Sequence, residues 1–166
     1  MKKRVIAIDP GNTKSALCII DVETLVPLYT LLVENNEVRK FIKELQTDEF
    51  DYAAIEMLQS YGNLIGKDVL DTAVWIGRFY EVLKRKLGKD PTMIYRKEEA
   101  SHICHSVRAG DSEIRRALID RFCTHDFRTG RGTIKNPDFF RGFKKDLWAA
   151  YAVGLTYIET KIQMEV

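Results

Sequence analysis

Arg4-Val5-Ile6-Ala7-Ile8-Asp9-Pro10-Gly11-Asn12-Thr13 is the stretch on which the fold turns. Residues 4–8 favour an extended chain, and Asp9-Pro10-Gly11-Asn12 all but forces a tight turn. The segment therefore reads as a short strand that stops on an acid. Beyond it, residues 15–21 and 26–33 read as two more strands separated by the polar Glu23-Thr24 pair, so three strands meander antiparallel. A helix over residues 37–45 follows, with Val38, Phe41, Ile42 and Leu45 on one buried face. Residues 51–56 return to a strand, Tyr52-Ala53-Ala54-Ile55, that also ends on an acid, Glu56.

The second half is mostly helical. Val69, Leu70, Ala73, Ile76, Gly77, Tyr80, Leu83 and Leu87 mark a long amphipathic helix over residues 66–87. Lys84, Arg85 and Lys86 suit its negative end, and Gly88 stops it. Residues 92–95 form a fifth strand. Helices over 97–104 and 111–123 come next, the latter entered through Gly110-Asp111-Ser112 as a cap. Residues 126–142 hold three glycines and a proline and read as an irregular loop. A last helix spans 144–162. The order predicts one α/β domain over residues 1–166, a five-stranded mixed sheet flanked by helices, with three antiparallel strands followed by two parallel ones.

With 166 residues, 45% hydrophobic and 30% charged, the chain is an ordinary globular mixture able to bury a core. Its net charge of +2 does not by itself announce a nucleic-acid partner, so any such reading depends on where the charges cluster. Cys18, Cys104 and Cys123 are odd in number and lack zinc-ligand spacing, which reads as reduced thiols. The apolar run after Met1 is too short for a signal peptide, and no stretch reaches membrane-spanning length. A soluble cytoplasmic protein is expected, including a phage or plasmid protein inside a bacterium.

The chemistry lies in the acids. Asp9 and Glu56 end two strands, and Asp146 begins a helix; if the strands are neighbours, the three converge at one end of the sheet. Crowded carboxylates stay ionised only beside a cation, and Mg²⁺ or Mn²⁺ is the natural partner for oxygen ligands. Two such ions can activate a water and stabilise the leaving oxygen of a phosphodiester. Taken singly, Asp9 serves equally well as a turn-former, and Asp146 is more simply a favourable acid in the first helical turn. Glu56, behind Ala53-Ala54-Ile55 in a buried strand, needs either a function or a salt bridge.

On these residues the sequence resembles the RuvC-type Holliday junction resolvases of the RNase H-like superfamily. Ala7-Ile8-Asp9-Pro10-Gly11-Asn12-Thr13 is similar to the family's first-strand motif and Ala54-Ile55-Glu56 to its second acidic motif. Residues 146–155 are similar to its last-helix segment, and residues 106–114 to the stretch between the fifth strand and the next helix. The resemblance implies an RNase H-like fold, a homodimer, Mg²⁺ or Mn²⁺, and paired cuts at a four-way DNA junction. It makes Asp9, Glu56 and Asp146 the catalytic metal ligands. Two departures point to a phage-type branch. Bacterial members carry a second acid one turn into the last helix, where this chain has Ala149, leaving one metal site weaker or completed by another group such as Asp138. They also offer a stacking aromatic after the second acid, where this chain has Gln59, with Tyr61 nearby. Tyr61 is the stacking candidate, against the plainer reading of a loop tyrosine half-buried on the core.

Six basic residues, Arg128, Arg131, Lys135, Arg141, Lys144 and Lys145, face one acid, Asp138, in the loop that runs into Asp146. Such a run is usually a solvated face, but here it adjoins the proposed metal site, which favours contact with DNA phosphates. Arg96, Lys97, Arg108, Arg115 and Arg116 are weaker candidates, and His102 and His105 read as surface or satisfied polar positions. The long helix, with Leu70, Ala73, Val74, Gly77 and Tyr80 and also Trp75 and Phe79, has more apolar residues than one stripe needs; the plainer reading is a large core-facing helix, but one face could be left for a partner subunit, which two symmetric cuts would require. Two other functions fit less well. An actin-like phosphotransferase shares the Asp9-Pro10-Gly11-Asn12-Thr13 pattern but needs a second lobe and a second phosphate loop. A branched-DNA-binding protein without cutting activity is conceivable from Ala149.

Overall fold

The computed structural model describes residues 3–163. The sheet forms in the order β3-β2-β1-β4-β5 from strands β1 (Arg4–Asp9), β2 (Lys14–Asp21), β3 (Pro27–Glu34), β4 (Tyr52–Met57) and β5 (Thr92–Tyr95). β1–β2 and β2–β3 are antiparallel, while β1–β4 and β4–β5 are parallel. This is the expected mixed sheet, and with its flanking helices it makes an RNase H-like α/β fold.

Both faces of the sheet are covered, so alternate residues of one strand feed two separate cores. Ile6, Ile8, Leu17, Ile19 and Ile55 pack beneath α1 (Asn35–Glu44) and α2 (Lys67–Leu87). Val5, Ala7, Ala16, Cys18 and Ala54 pack on the opposite side with α3 (Arg96–Cys104), α4 (Asp111–Phe122) and α5 (Leu147–Tyr157). β1 is thus buried on both faces, which is why residues 5–8 are uniformly apolar. α5 lies close against it because its inner residues are small. A Cβ on Gly154 would fall 2.9 Å from the Ala7 Cβ and closer still to Ile20, so only glycine allows this approach.

Three details differ from the sequence reading. The core stripe of α2 is Thr72, Ile76, Phe79, Val82 and Leu83, whereas Val69, Leu70, Ala73 and Gly77 are exposed. An apolar period identifies a helix but does not say which of two apolar faces the sheet will take. The last helix begins at Leu147 rather than 144, because Lys145 holds a left-handed φ of 45° that ends the preceding loop. It then loosens into a π-turn over Ile158–Ile162. Tyr61 is 59% exposed instead of half-buried on the core. The three cysteines are unpaired. No helix among the described residues is long and apolar enough to cross a membrane.

Candidate active site

Parallel pairing of β1 with β4 sets Ile8 beside Ile55, so the next residues, Asp9 and Glu56, lie side by side at the C-terminal end of the sheet, Asp9 as the last residue of β1 and Glu56 one before the last of β4. β4 in turn pairs with β5, placing Ile94 opposite Glu56 and Tyr95 opposite Met57. Asp146 occupies the N-cap position of α5 but makes no side-chain cap hydrogen bond, so it is not serving as a structural cap.

The turn after Asp9 is tied down by residues the sequence reading passed over. Gly11 N–H donates to Ser15 Oγ at 3.0 Å, Ser15 Oγ–H donates to Asn35 Oδ1 at 2.5 Å, and Asn35 Nδ2 donates back to the Gly11 carbonyl at 2.9 Å. Ser15 and Asn35 are both buried. A Cβ on Gly11 would lie 2.2 Å from the Lys14 carbonyl oxygen, so the glycine is obligatory. Buried polar groups that satisfy one another in this way fix backbone geometry, and here they hold the end of β1 where Asp9 emerges. A buried serine in a strand is the one trace of this network in the sequence.

The electrostatics are those of crowded acids. Burial pushes the Asp9 carboxyl well above the usual carboxylate range. The charge of Glu56, a hydrogen bond with the Glu56 side chain, and the charges of Asp146 and Glu99 push it further. Three sequence-chosen acids therefore share one neighbourhood, and a fourth, Glu99 on α3, joins them. Burial and then the charge of Glu56 push Glu99 up to about 9 despite the opposing Arg96 guanidinium.

Two adjoining hollows open on this neighbourhood. Asp9, Glu56, Gln59, Tyr61 and Arg96 line one; Arg96, Asp111, Arg115, Lys145, Asp146 and Ala149 line parts of the other. Arg96 borders both, with Nη1 3.2 Å from Glu99 Oε2 and its other terminal nitrogen on Asp111. The Arg115 guanidinium lies over Trp148, 4.7 Å from the ring centroid. Lys97 sits 4.8 Å from the Tyr61 ring centroid. Arg96 and Arg115, weak candidates in the sequence, are thus the cations set around the acids. Of the six loop residues, Lys145 borders the Asp146 hollow. Arg128, Lys135, Arg141 and Lys144 are exposed on the loop surface, and Arg131 is half-buried.

Asp138 is not a member of this cluster. It is buried, and its carboxylate accepts from the backbone N–H groups of Thr124 (3.0 Å), His125 (2.9 Å), Asp126 (2.6 Å) and Phe139 (2.8 Å). It fastens the basic loop and has no capacity left to complete a metal site. His102 Nε2 pairs with Glu159 Oε2 at 2.6 Å, a satisfied polar position, and His105 is exposed.

The acids offer only oxygen donors, the kind a hard divalent cation takes. As the side chains stand, no three carboxylate, imidazole or thiolate groups among the described residues close on a common point at ligand distance. Asp9 shares a hydrogen bond with Glu56, and a bound cation would replace it.

No protein-family model matches the sequence, and no curated protein matches it. Solved structures do. The Thermus thermophilus RuvC structure superposes with a TM-score of 0.69 at 16% identity, covering 96% of each chain. T. thermophilus RuvC in complex with Holliday junction substrate gives 0.69 at 15% identity, covering 97% of this chain and 96% of that one. Over nearly its whole length, then, the chain has the RNase H-like fold of RuvC.

Proposed function

We propose that the protein is a RuvC-type, Mg²⁺- or Mn²⁺-dependent endodeoxyribonuclease that resolves Holliday junctions or other branched DNA by paired phosphodiester hydrolysis. One observation carries the reading: Asp9 and Glu56 lie side by side at the C-terminal end of adjacent parallel strands, within reach of the charge of Asp146, on a fold shared with RuvC. In this reading Asp9, Glu56 and Asp146 hold the divalent ions, two per active site. The ions supply an activated water and stabilise the leaving oxygen. Arg96, Arg115 and Lys145, bordering the same hollows, bind phosphate oxygens near the acids. Arg128, Arg131, Lys135, Arg141 and Lys144 follow the DNA backbone further out. Tyr61, exposed beside Asp9 and Glu56, stacks on a base at the branch.

Two symmetric cuts need two active sites, hence a homodimer. The exposed apolar residues Leu64, Ile65, Val69, Leu70 and Val74, on and just before α2, are the surface such a dimer would bury. Ala149 and Gln59 favour a phage-type branch, working in the cytoplasm of a bacterial host. The actin-like alternative loses ground because the described residues form one sheet with no second lobe around it.

The test is incubation with a synthetic four-way junction and Mg²⁺ or Mn²⁺. Paired nicks in strands of like polarity are expected. ATP turnover without incision would replace the proposal with the phosphotransferase reading, and junction binding without incision would replace it with a non-cutting binder.

A further inference from the structure

Glu99 sits where a merely decorative glutamate would not. It lies one turn into α3, which follows β5 directly, and β5 runs beside the strand that carries Glu56. Its side chain has no exposed surface. Arg96 Nη1 holds Oε2 at 3.2 Å, while Oε1 accepts no hydrogen bond at all. Arg96 is also shared with Asp111, so it is not a dedicated counter-ion. The charge that bears on Glu99 most strongly is that of Glu56, and Asp9 in turn feels the charge of Glu99.

A buried carboxylate oxygen without a donor, in a side chain that feels the charge of another carboxylate, is an unfavourable arrangement that proteins keep where a ligand completes it. Water-exposed glutamates on α3 would have met helix propensity equally well. On α5, the hollow next to Asp146 is bordered by Ala149, whose side chain offers no oxygen. A donor reaching the acids from α3 would fill that deficit.

We propose that Glu99 is a fourth carboxylate of the metal centre, with Oε1 as its ligand atom and Arg96 holding Oε2 to fix the side chain's orientation. The inference rests on the reading of Asp9, Glu56 and Asp146 as that centre. It assigns to α3 a ligand that α5 does not supply beyond Asp146, and it explains why a buried acid with an unpaired oxygen is tolerated there.

The test is calorimetric titration of Mn²⁺ into the full chain, with melting temperatures in chelator and in Mn²⁺, for the wild type, Glu99→Gln and Asp9→Asn. Glu99→Gln keeps the shape and removes the ability to ionise. It should melt at or above the wild type in chelator, bind Mn²⁺ about 10- to 100-fold more weakly, and lose most of the Mn²⁺-dependent rise in melting temperature. Asp9→Asn should lose binding at least as severely. If Glu99→Gln folds poorly, Glu99→Met, apolar and of similar length, is judged by the same two readings. Mn²⁺ binding by the Glu99 variant equal to wild type, with Asp9→Asn still impaired, would overturn this inference and leave the metal centre standing. A wild type that binds no Mn²⁺ would overturn both.

Discussion

Two regions of this molecule bury aspartate or glutamate close to the same sheet, and they treat the charge in opposite ways. Around Asp138 every carboxylate oxygen is met by backbone N–H groups, and these outweigh the burial that opposes its charge, so its carboxyl is held well below the usual range. Half-buried Asp126 is also held low, first by the Thr129 hydroxyl and then by the N–H groups of Thr129 and Gly132 at 2.9 Å each. Around Asp9, by contrast, burial and neighbouring acids raise the carboxyl, and Glu99 keeps one oxygen with no donor. The lesson is that a buried acid is a structural fastener where donors surround it and a candidate binding group where other acids do. The two regions are linked in chain order: the fastened loop carries the basic residues and ends at Asp146.

Asp9→Asn and Asp138→Ala put the sharpest strain on that contrast. The first should reduce junction cutting by on the order of 10³-fold or more while junction binding and folding persist. The second should leave the chemistry of folded molecules intact but lower stability by on the order of 2–4 kcal/mol, because several backbone donors lose their acceptor. Gel assays of cutting and urea unfolding separate the two. Equal cutting by Asp9→Asn, or an Asp138→Ala protein as stable as wild type, would erase the distinction.

Stability against pH should show the same opposition in metal-free protein. Asp138 and Asp126 are lowered in the folded state, so the stability they contribute is full above the unfolded carboxylate value of about 4 and is lost as pH falls through their folded values. Asp9 and Glu99 are raised, so the folded protein holds protons that the unfolded chain releases. From about pH 4 upward, stability should therefore decline with rising pH, levelling off once Glu99 has ionised at about 9. Thermal melts in chelator across pH 3–10 (a range of roughly this width brackets both limbs) measure this, and Glu99→Gln should flatten the upper limb alone.

The smallest effect belongs to the basic loop. Affinity for a junction should fall with salt, and Lys145→Ala should reduce the log–log slope by about 0.9, one phosphate contact. An unchanged slope would remove Lys145 from the interface while leaving the acid contrast untouched.

Much of the fold was legible in the residues themselves. A run of apolar β-formers that stops at Asp9-Pro10-Gly11 can hardly be anything but a buried strand and a turn, and Tyr52-Ala53-Ala54-Ile55-Glu56 repeats the pattern. The sense of pairing, three antiparallel strands and then two parallel ones, followed; that β4 lies beside β1 did not. The face of α2 did not, because Val69, Leu70 and Val74 are as apolar as Ile76 and Phe79, and only the sheet beneath the helix selects among them. Asp138 illustrates a different limit. From composition alone it was a spare carboxylate near a metal site, and nothing local says that four amides converge on it.

What the sequence determined by itself was the set of elements and the three acids at their ends, because local propensity and periodicity act over a few residues. Tertiary structure decided which acids meet. It placed Glu56 beside Asp9 through parallel pairing, added Glu99 from a helix with no motif to mark it, and withdrew Asp138 into a nest of backbone donors. Burial and proximity set the charge state of a carboxylate, and both are properties of the packed molecule that no short stretch of chain carries.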